Sequence, residues 1–156
     1  MIEGVETLQQ RMKRLFVGAM LGLAFQVVAD TRVLLEDLRW GNRLLILDSR
    51  PDSERYVGRI LELAPAEDVH ERRLLVFLVQ ENGVVEFTAS GRLRSSFLSE
   101  EGLLDKLGGS DVALVGLDGE VKSRYLARDF SWTDLFSRID AMPMRQREIW
   151  RSARGR

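Results

Sequence analysis

The sequence predicts an α/β fold with a mixed central sheet and flanking helices, laid out as strand–helix–strand, an insert, and then strand–strand–helix. Three observations carry this expectation. Continuous apolar runs at Leu44–Leu47, Leu74–Val79 and Val112–Val115 read as strands buried on both faces. A segment with apolar residues at helical spacing separates the first two runs. The dipeptides Asn82-Gly83 and Asp118-Gly119, the favoured two-residue hairpin turns, follow the second and third.

Taken in order, Thr31 to Trp40 places Leu34, Leu35 and Leu38 on one helical face, and Gly41-Asn42 stops it. After the first strand, Pro51 suits a first helical position, with Asp52 and Glu54 in the first turn. Tyr56, Val57, Ile60, Leu61 and Ala64 continue as an amphipathic helix ending near Pro65, and Glu67–Arg73 reads as a charged connection. Strand, helix, strand then calls for a parallel pair joined by a crossover. Past Asn82-Gly83, Val85, Phe87 and Ala89 alternate as a returning strand, and Leu93 with Phe97 suggests a helical turn. Ser99 caps a helix through Leu103, Leu104 and Leu107, closed by Gly108-Gly109. Asp118-Gly119 turns the third core strand back into Val121–Leu126. Ser131 caps a final helix with Leu135, Phe136 and Ile139 inside, which Met142-Pro143 ends.

Composition narrows the chemistry. The 156 residues are 45% hydrophobic and 30% charged, an ordinary globular balance. Lys and Arg number 23 against 24 Asp and Glu, so the surface as a whole offers no strong field for nucleic acid. There is no cysteine and one histidine, which removes thiol catalysis, disulfides, zinc fingers and iron–sulfur ligation together.

Residues 1–29 read as an export signal. Lys13 and Arg14 precede the apolar run Leu15–Phe25, and the small residue Ala29 stands just before Asp30. The run is shorter than the roughly 20 residues that span a bilayer. Cleavage near Ala29 would make the protein periplasmic or secreted; the alternatives are a buried N-terminal helix or an uncleaved anchor. Met12-Lys13-Arg14 is a more natural signal start than Met1, which makes residues 1–11 an expected artefact of start assignment. The expected organisation is signal 1–29, domain 30–144 and basic tail 145–156.

The element order is that of the thioredoxin fold. Three segments go further: Leu35-Glu36-Asp37-Leu38-Arg39-Trp40-Gly41-Asn42-Arg43, Leu114-Val115-Gly116-Leu117-Asp118-Gly119-Glu120-Val121-Lys122, and Leu135 to Arg145 ending in Asp140-Ala141-Met142-Pro143-Met144-Arg145. They resemble the prokaryotic DUDES-type domains (P-DUDES), relatives of domains in secreted vertebrate sushi-repeat and matrix proteins. The resemblance runs from about Leu34 to Glu148. It implies a thioredoxin-like fold and export, and no established reaction or catalytic residue. Where a thioredoxin carries its cysteine pair, this chain has Ser49-Arg50-Pro51-Asp52, and a hydroxyl cannot cycle between thiol and disulfide. Peroxide reduction by a thiolate is excluded likewise. Ser110-Asp111 stand where a thioredoxin has its cis-proline.

The candidate ligand site is the turn Ser49, Arg50 and Asp52, at the carboxyl end of the first core strand and beside a helix N-terminus. Open α/β sheets bind ligands there, and free amides favour anions. Its bland alternative is an ordinary strand-to-helix turn. His70 lacks a serine nucleophile and carboxylate in any recognisable triad pattern and reads as a surface residue. Glu100, Glu101 and Asp105 lack the ligand spacing of a calcium loop, so no metal and no cofactor is expected. Gly116-Leu117-Asp118-Gly119 has no following lysine and helix start, so it is a turn and not a phosphate loop. In the tail, Arg145, Arg147, Trp150 and Arg151 offer contacts to anionic headgroups or an acidic partner, against the plainer reading of a solvated end.

The expected function is a non-catalytic, thioredoxin-like binding module of the periplasm or cell envelope, taking an envelope protein or a small anionic ligand. The alternatives are a cysteine-free enzyme using carboxylates and His70, and a membrane-surface protein binding through its arginine tail.

Overall fold

The computed structural model describes residues 35–155 except Pro51, Ala89 and Phe97. The expected signal segment, Thr31 to Leu34 and Arg156 therefore lie outside the described residues. Six strands form one mixed sheet: β1 (Arg43–Asp48), β2 (Leu74–Gln80), β3 (Gly83–Phe87), β4 (Leu93–Ser95), β5 (Val112–Val115) and β6 (Val121–Tyr125), in the order β4-β3-β2-β1-β5-β6. β1 and β2 are parallel, with Leu45 opposite Val76 and Leu47 opposite Leu78. β5 is antiparallel to β1, and β6 to β5. The four strands β2-β1-β5-β6 form the thioredoxin-like α/β core, and the hairpin β3–β4 extends the sheet beyond β2.

The apolar runs are continuous because both faces of the sheet are covered. Leu45 and Leu47 join Val57 and Ile60 of α1 (Glu54–Glu62), Val69 of α2 (Ala66–Glu71), and Leu135 and Ile139 of α4 (Trp132–Asp140). Leu44 and Ile46 face the other way, onto Leu103 and Leu107 of α3 (Glu100–Leu107). The i,i+3 and i,i+4 spacing of these helical residues puts each pair on one face. Burying such a side chain is worth about 1.5–3 kcal/mol. Along the first face runs an edge-to-face ladder, Tyr125–Phe130 at 5.7 Å and Phe130–Trp132 at 5.2 Å between ring centres. The Trp132 indole donates to the Ile60 carbonyl at 3.0 Å, tying α4 to α1.

Five sequence expectations change. Leu35–Leu38 form a 3₁₀ turn that does not continue as helix to Trp40. α1 begins at Glu54, three residues past Pro51. The charged connection contains α2, which one apolar residue per turn, Val69, was too sparse to reveal. Leu93–Ser95 is a strand and not a helical turn; all three residues are exposed, so an edge strand with no buried face left no alternation to read. Arg94 pairs across to Glu86 there. Finally, Met142-Pro143 does not close the chain's helical part. Proline at a first helical position starts α5 (Pro143–Arg154), because its missing N–H costs nothing in the first turn. The caps agree with expectation at Ser131, whose hydroxyl accepts from the Asp134 amide, and at Gly108, which is left-handed. Ser99 sits at the N-cap of α3 without a side-chain cap bond.

Candidate functional site

The structure brings Ser49, Arg50 and Asp52 together in the turn after β1. The Ser49 amide donates to the Val79 carbonyl at 2.8 Å. The Arg50 guanidinium folds back onto Asp48, donating from Nε at 2.8 Å and from Nη2 at 2.6 Å. Those bonds hold the Asp48 carboxyl below its ordinary value despite partial burial. One residue beyond Asp52, which is exposed, the Ser53 hydroxyl donates to Asp111, whose other oxygen accepts from the Ala127 amide. The turn meets most of its polar demand from within the protein, and the Arg50 charge is offset by Asp48. His70 is elsewhere, exposed on α2 beside a cleft of about 400 Å³ lined by Leu61, Val69 and Phe87. Among the described residues, no cluster of three histidines or acids stands ready to hold a metal.

The opposite end of β1 is built differently. Arg43, the first residue of the strand, has 0% of its surface exposed. Its Nη1 donates to the Arg72 carbonyl at 2.8 Å, and its fork meets both oxygens of Glu148 on α5 at 3.3 and 3.4 Å. Glu148 also accepts from Arg73 at 2.6 Å and stands 3.6 Å from Arg145. Arg145, 5% exposed, reaches Asp140 at 3.2 Å and Glu71 at 2.6 Å. Arg72 grips Asp140 at 3.1 and 2.6 Å and Asp68 at 2.9 Å. Four arginines thus interlock with four carboxylates, Asp68, Glu71, Asp140 and Glu148. Burial alone would raise the Asp140 carboxyl, but Arg72 and Arg145 outweigh it and hold it low. Burial likewise disfavours charge on Arg72 and Arg145, and their carboxylate partners again prevail.

One group in this network has no partner: the buried Nε–H of Arg43. A buried donor without an acceptor costs about 1–3 kcal/mol, more when charged. Arg43 also forms part of the wall of a cavity of about 330 Å³ shared with Gly116, Leu117, Asp118, Lys122 and Met142–Met144. The three segments quoted above therefore meet here, since each contributes to that wall. The Trp40 amide joins the first to the second by donating to the Leu117 carbonyl at 2.6 Å. At the rim, Lys122 donates to Asp118 at 2.5 Å. Burial pushes the Asp118 carboxyl up, but the Lys122 and Glu120 donors outweigh it, so it stays below its ordinary value. Gly116 lies so close beneath that an added Cβ would sit 2.7 Å from Lys122 Cε and 2.8 Å from Asp118 Oδ1.

Backbone strain gathers at the same end. Among the described residues, the non-glycine positions with positive φ are Trp40 at 65° and Arg73 at 49°, just before β1 and β2. Each costs about 1–2 kcal/mol, and such outliers cluster at sites that the surrounding structure over-determines.

Arg43, Arg72, Arg73, Asp140 and Glu148 were missed as site residues. Arg43 looked like the polar border of an apolar strand. Arg145, expected in a basic tail, is buried, whereas Arg147, Trp150 and Arg151 are exposed on α5. Arg145 and Glu148, spaced i,i+3 behind Pro143 with Glu148 the lone acid among tail arginines, were the available signal.

Neither the curated proteins nor the solved structures contain a match to this chain. Residues 34–148, spanning both ends of the sheet and the whole arginine–carboxylate network, match the family described as a domain of unknown function (DUF4174), and the chain belongs to that family.

Proposed function

We propose that this chain is an exported, P-DUDES-type binding module without a redox centre, and that it takes a small carboxylic acid with an apolar body into the cavity at the foot of β1. The observation carrying this reading is the fully buried Arg43 in that cavity's wall, with a donor left unsatisfied. Nε is closed off from solvent, so the ligand would have to part the cavity wall; a carboxylate oxygen that then met Nε would complete its hydrogen bonding, and charge-assisted bonds are roughly twice as strong as neutral ones. Leu117, Met142 and Met144 supply apolar wall for the ligand's body, in the pattern usual for small-molecule sites. The size sits at the small end of such pockets, which favours a short chain or a single ring. Export rests on the n-region, apolar run and small-residue exit before Asp30.

Calorimetric titration with hexanoate and benzoate tests the binding reading. Saturable binding that Met144→Trp abolishes by filling the cavity, with the melting temperature of the variant unchanged, is the expected result. Binding that survives Met144→Trp, or turnover of ester substrates that falls on His70→Ala, overturns it. Intact mass of the native protein from the periplasmic fraction is expected to begin near Asp30; a cytoplasmic species retaining Met1 removes export from the reading.

A further inference from the structure

Four residues of α5, Arg147, Trp150, Arg151 and Arg154, fall at i, i+3, i+4 and i+7 and so share one face. Arg145 and Glu148 lie on the opposite face, and their ion pairs fix the helix against the body so that it cannot roll. The outer face is fully presented: Trp150 is 60% exposed, and all three arginines are exposed. None of these arginines pairs with a carboxylate among the described residues, and the one acid of the helix, Glu148, is turned inward and already held by Arg43 and Arg73. The Arg154 guanidinium stacks over the Trp150 ring at 3.4 Å, so cation and indole form one unit.

From this the geometry points to a docking surface for an anionic lipid membrane, independent of the cavity. Three uncompensated arginines on a helix face complement a plane of negative headgroups. An indole among them is the side chain that settles at the boundary between headgroup and acyl chain. The face runs along a single helix and holds only an open hollow among Arg147, Trp150, Arg151 and Arg154, which suits a broad plane of headgroups better than an acidic peptide needing a walled groove. Each arginine at an anionic surface strengthens binding about fivefold, from about 1 kcal/mol per basic residue.

The test is co-sedimentation of the full chain with vesicles of phosphatidylcholine and phosphatidylglycerol at 70:30. Binding is expected to weaken about 100-fold in the triple variant R147Q/R151Q/R154Q, to weaken strongly between 50 and ~300 mM salt, and to shift tryptophan emission to the blue, a shift lost in Trp150→Phe. All four side chains are exposed, so melting temperature should not move. The apolar run Leu15–Phe25 adds a contribution insensitive to salt and to these arginines, so the difference between wild type and triple variant isolates α5. Equal binding by the two proteins overturns the proposal. So does binding to polyglutamate in place of vesicles with the same arginine dependence, which would make the face one for an acidic protein.

Discussion

Glu148 offers a perturbation whose two sides the structure separates. Its carboxylate meets fully buried Arg43 with both oxygens and shares Oε1 with Arg73, whose side chain is 48% exposed. Glu148→Gln keeps the shape and removes the charge. Arg43 then keeps the Arg72 carbonyl and one amide oxygen as acceptors but has no negative partner, and it remains a cation that water cannot reach. Removing one partner of a buried pair costs about 3–5 kcal/mol, mostly through the charge left behind. Arg73→Gln breaks the shorter contact, 2.6 Å against 3.3 Å, yet an exposed pair is worth only about 0–1 kcal/mol. Distance and burial thus predict opposite rankings, and burial should win. Denaturant unfolding followed by Trp132 fluorescence measures both. The double variant Arg43→Met/Glu148→Gln should recover much of the loss, because no buried cation is left unpaired. Equal costs for Glu148→Gln and Arg73→Gln, within about 0.5 kcal/mol, would refute the reasoning.

Acid should act on the same network. The Asp140 carboxyl is held below its ordinary 3.8 in the folded protein, so its contribution is complete above that value and is lost as pH falls through the lower, folded one. Asp140→Asn is therefore expected to flatten the acid limb of a stability–pH curve, and an unchanged limb would contradict the assignment. Gly116→Ala should push Lys122 away from Asp118 at a stability cost of about 1 kcal/mol or less, since the obstructing atom is the far end of a flexible chain. The Asp118 carboxyl should then titrate closer to 3.8, as carbonyl NMR would show. Ser53→Ala should cost about 1–3 kcal/mol by leaving Asp111 with the Ala127 amide alone, read as a lowered unfolding midpoint.

The strands of the core were legible because both sheet faces are covered, which leaves unbroken runs such as Leu44–Leu47, and because Asn82-Gly83 and Asp118-Gly119 have few other uses. The edge strand β4 was not, since nothing buries it and alternation has no cause. α2 was too short to show a period. That thiol–disulfide exchange is impossible was readable from the lack of cysteine alone. The arginine–carboxylate network was not. Its members lie as far apart in the chain as Arg43 and Glu148, and each looks like a surface charge until topology places the start of β1 beneath α5. Sequence periodicity reports where apolar side chains go, and it says nothing about which charges fold inward. The Ser49–Asp52 turn drew attention by analogy with other α/β sheets, but the unsatisfied donor and the strained backbone are at the other end of the same strand.

Methionine methyl NMR tests the central claim most directly, because two of the five methionines, Met142 and Met144, line the cavity while Met1, Met12 and Met20 lie in the segment expected to be removed on export. Titrating methyl-labelled protein with hexanoate should move the Met142 and Met144 signals saturably and leave any others in place. Signals that stay fixed, or that drift together without saturation, would contradict a ligand site at the foot of β1.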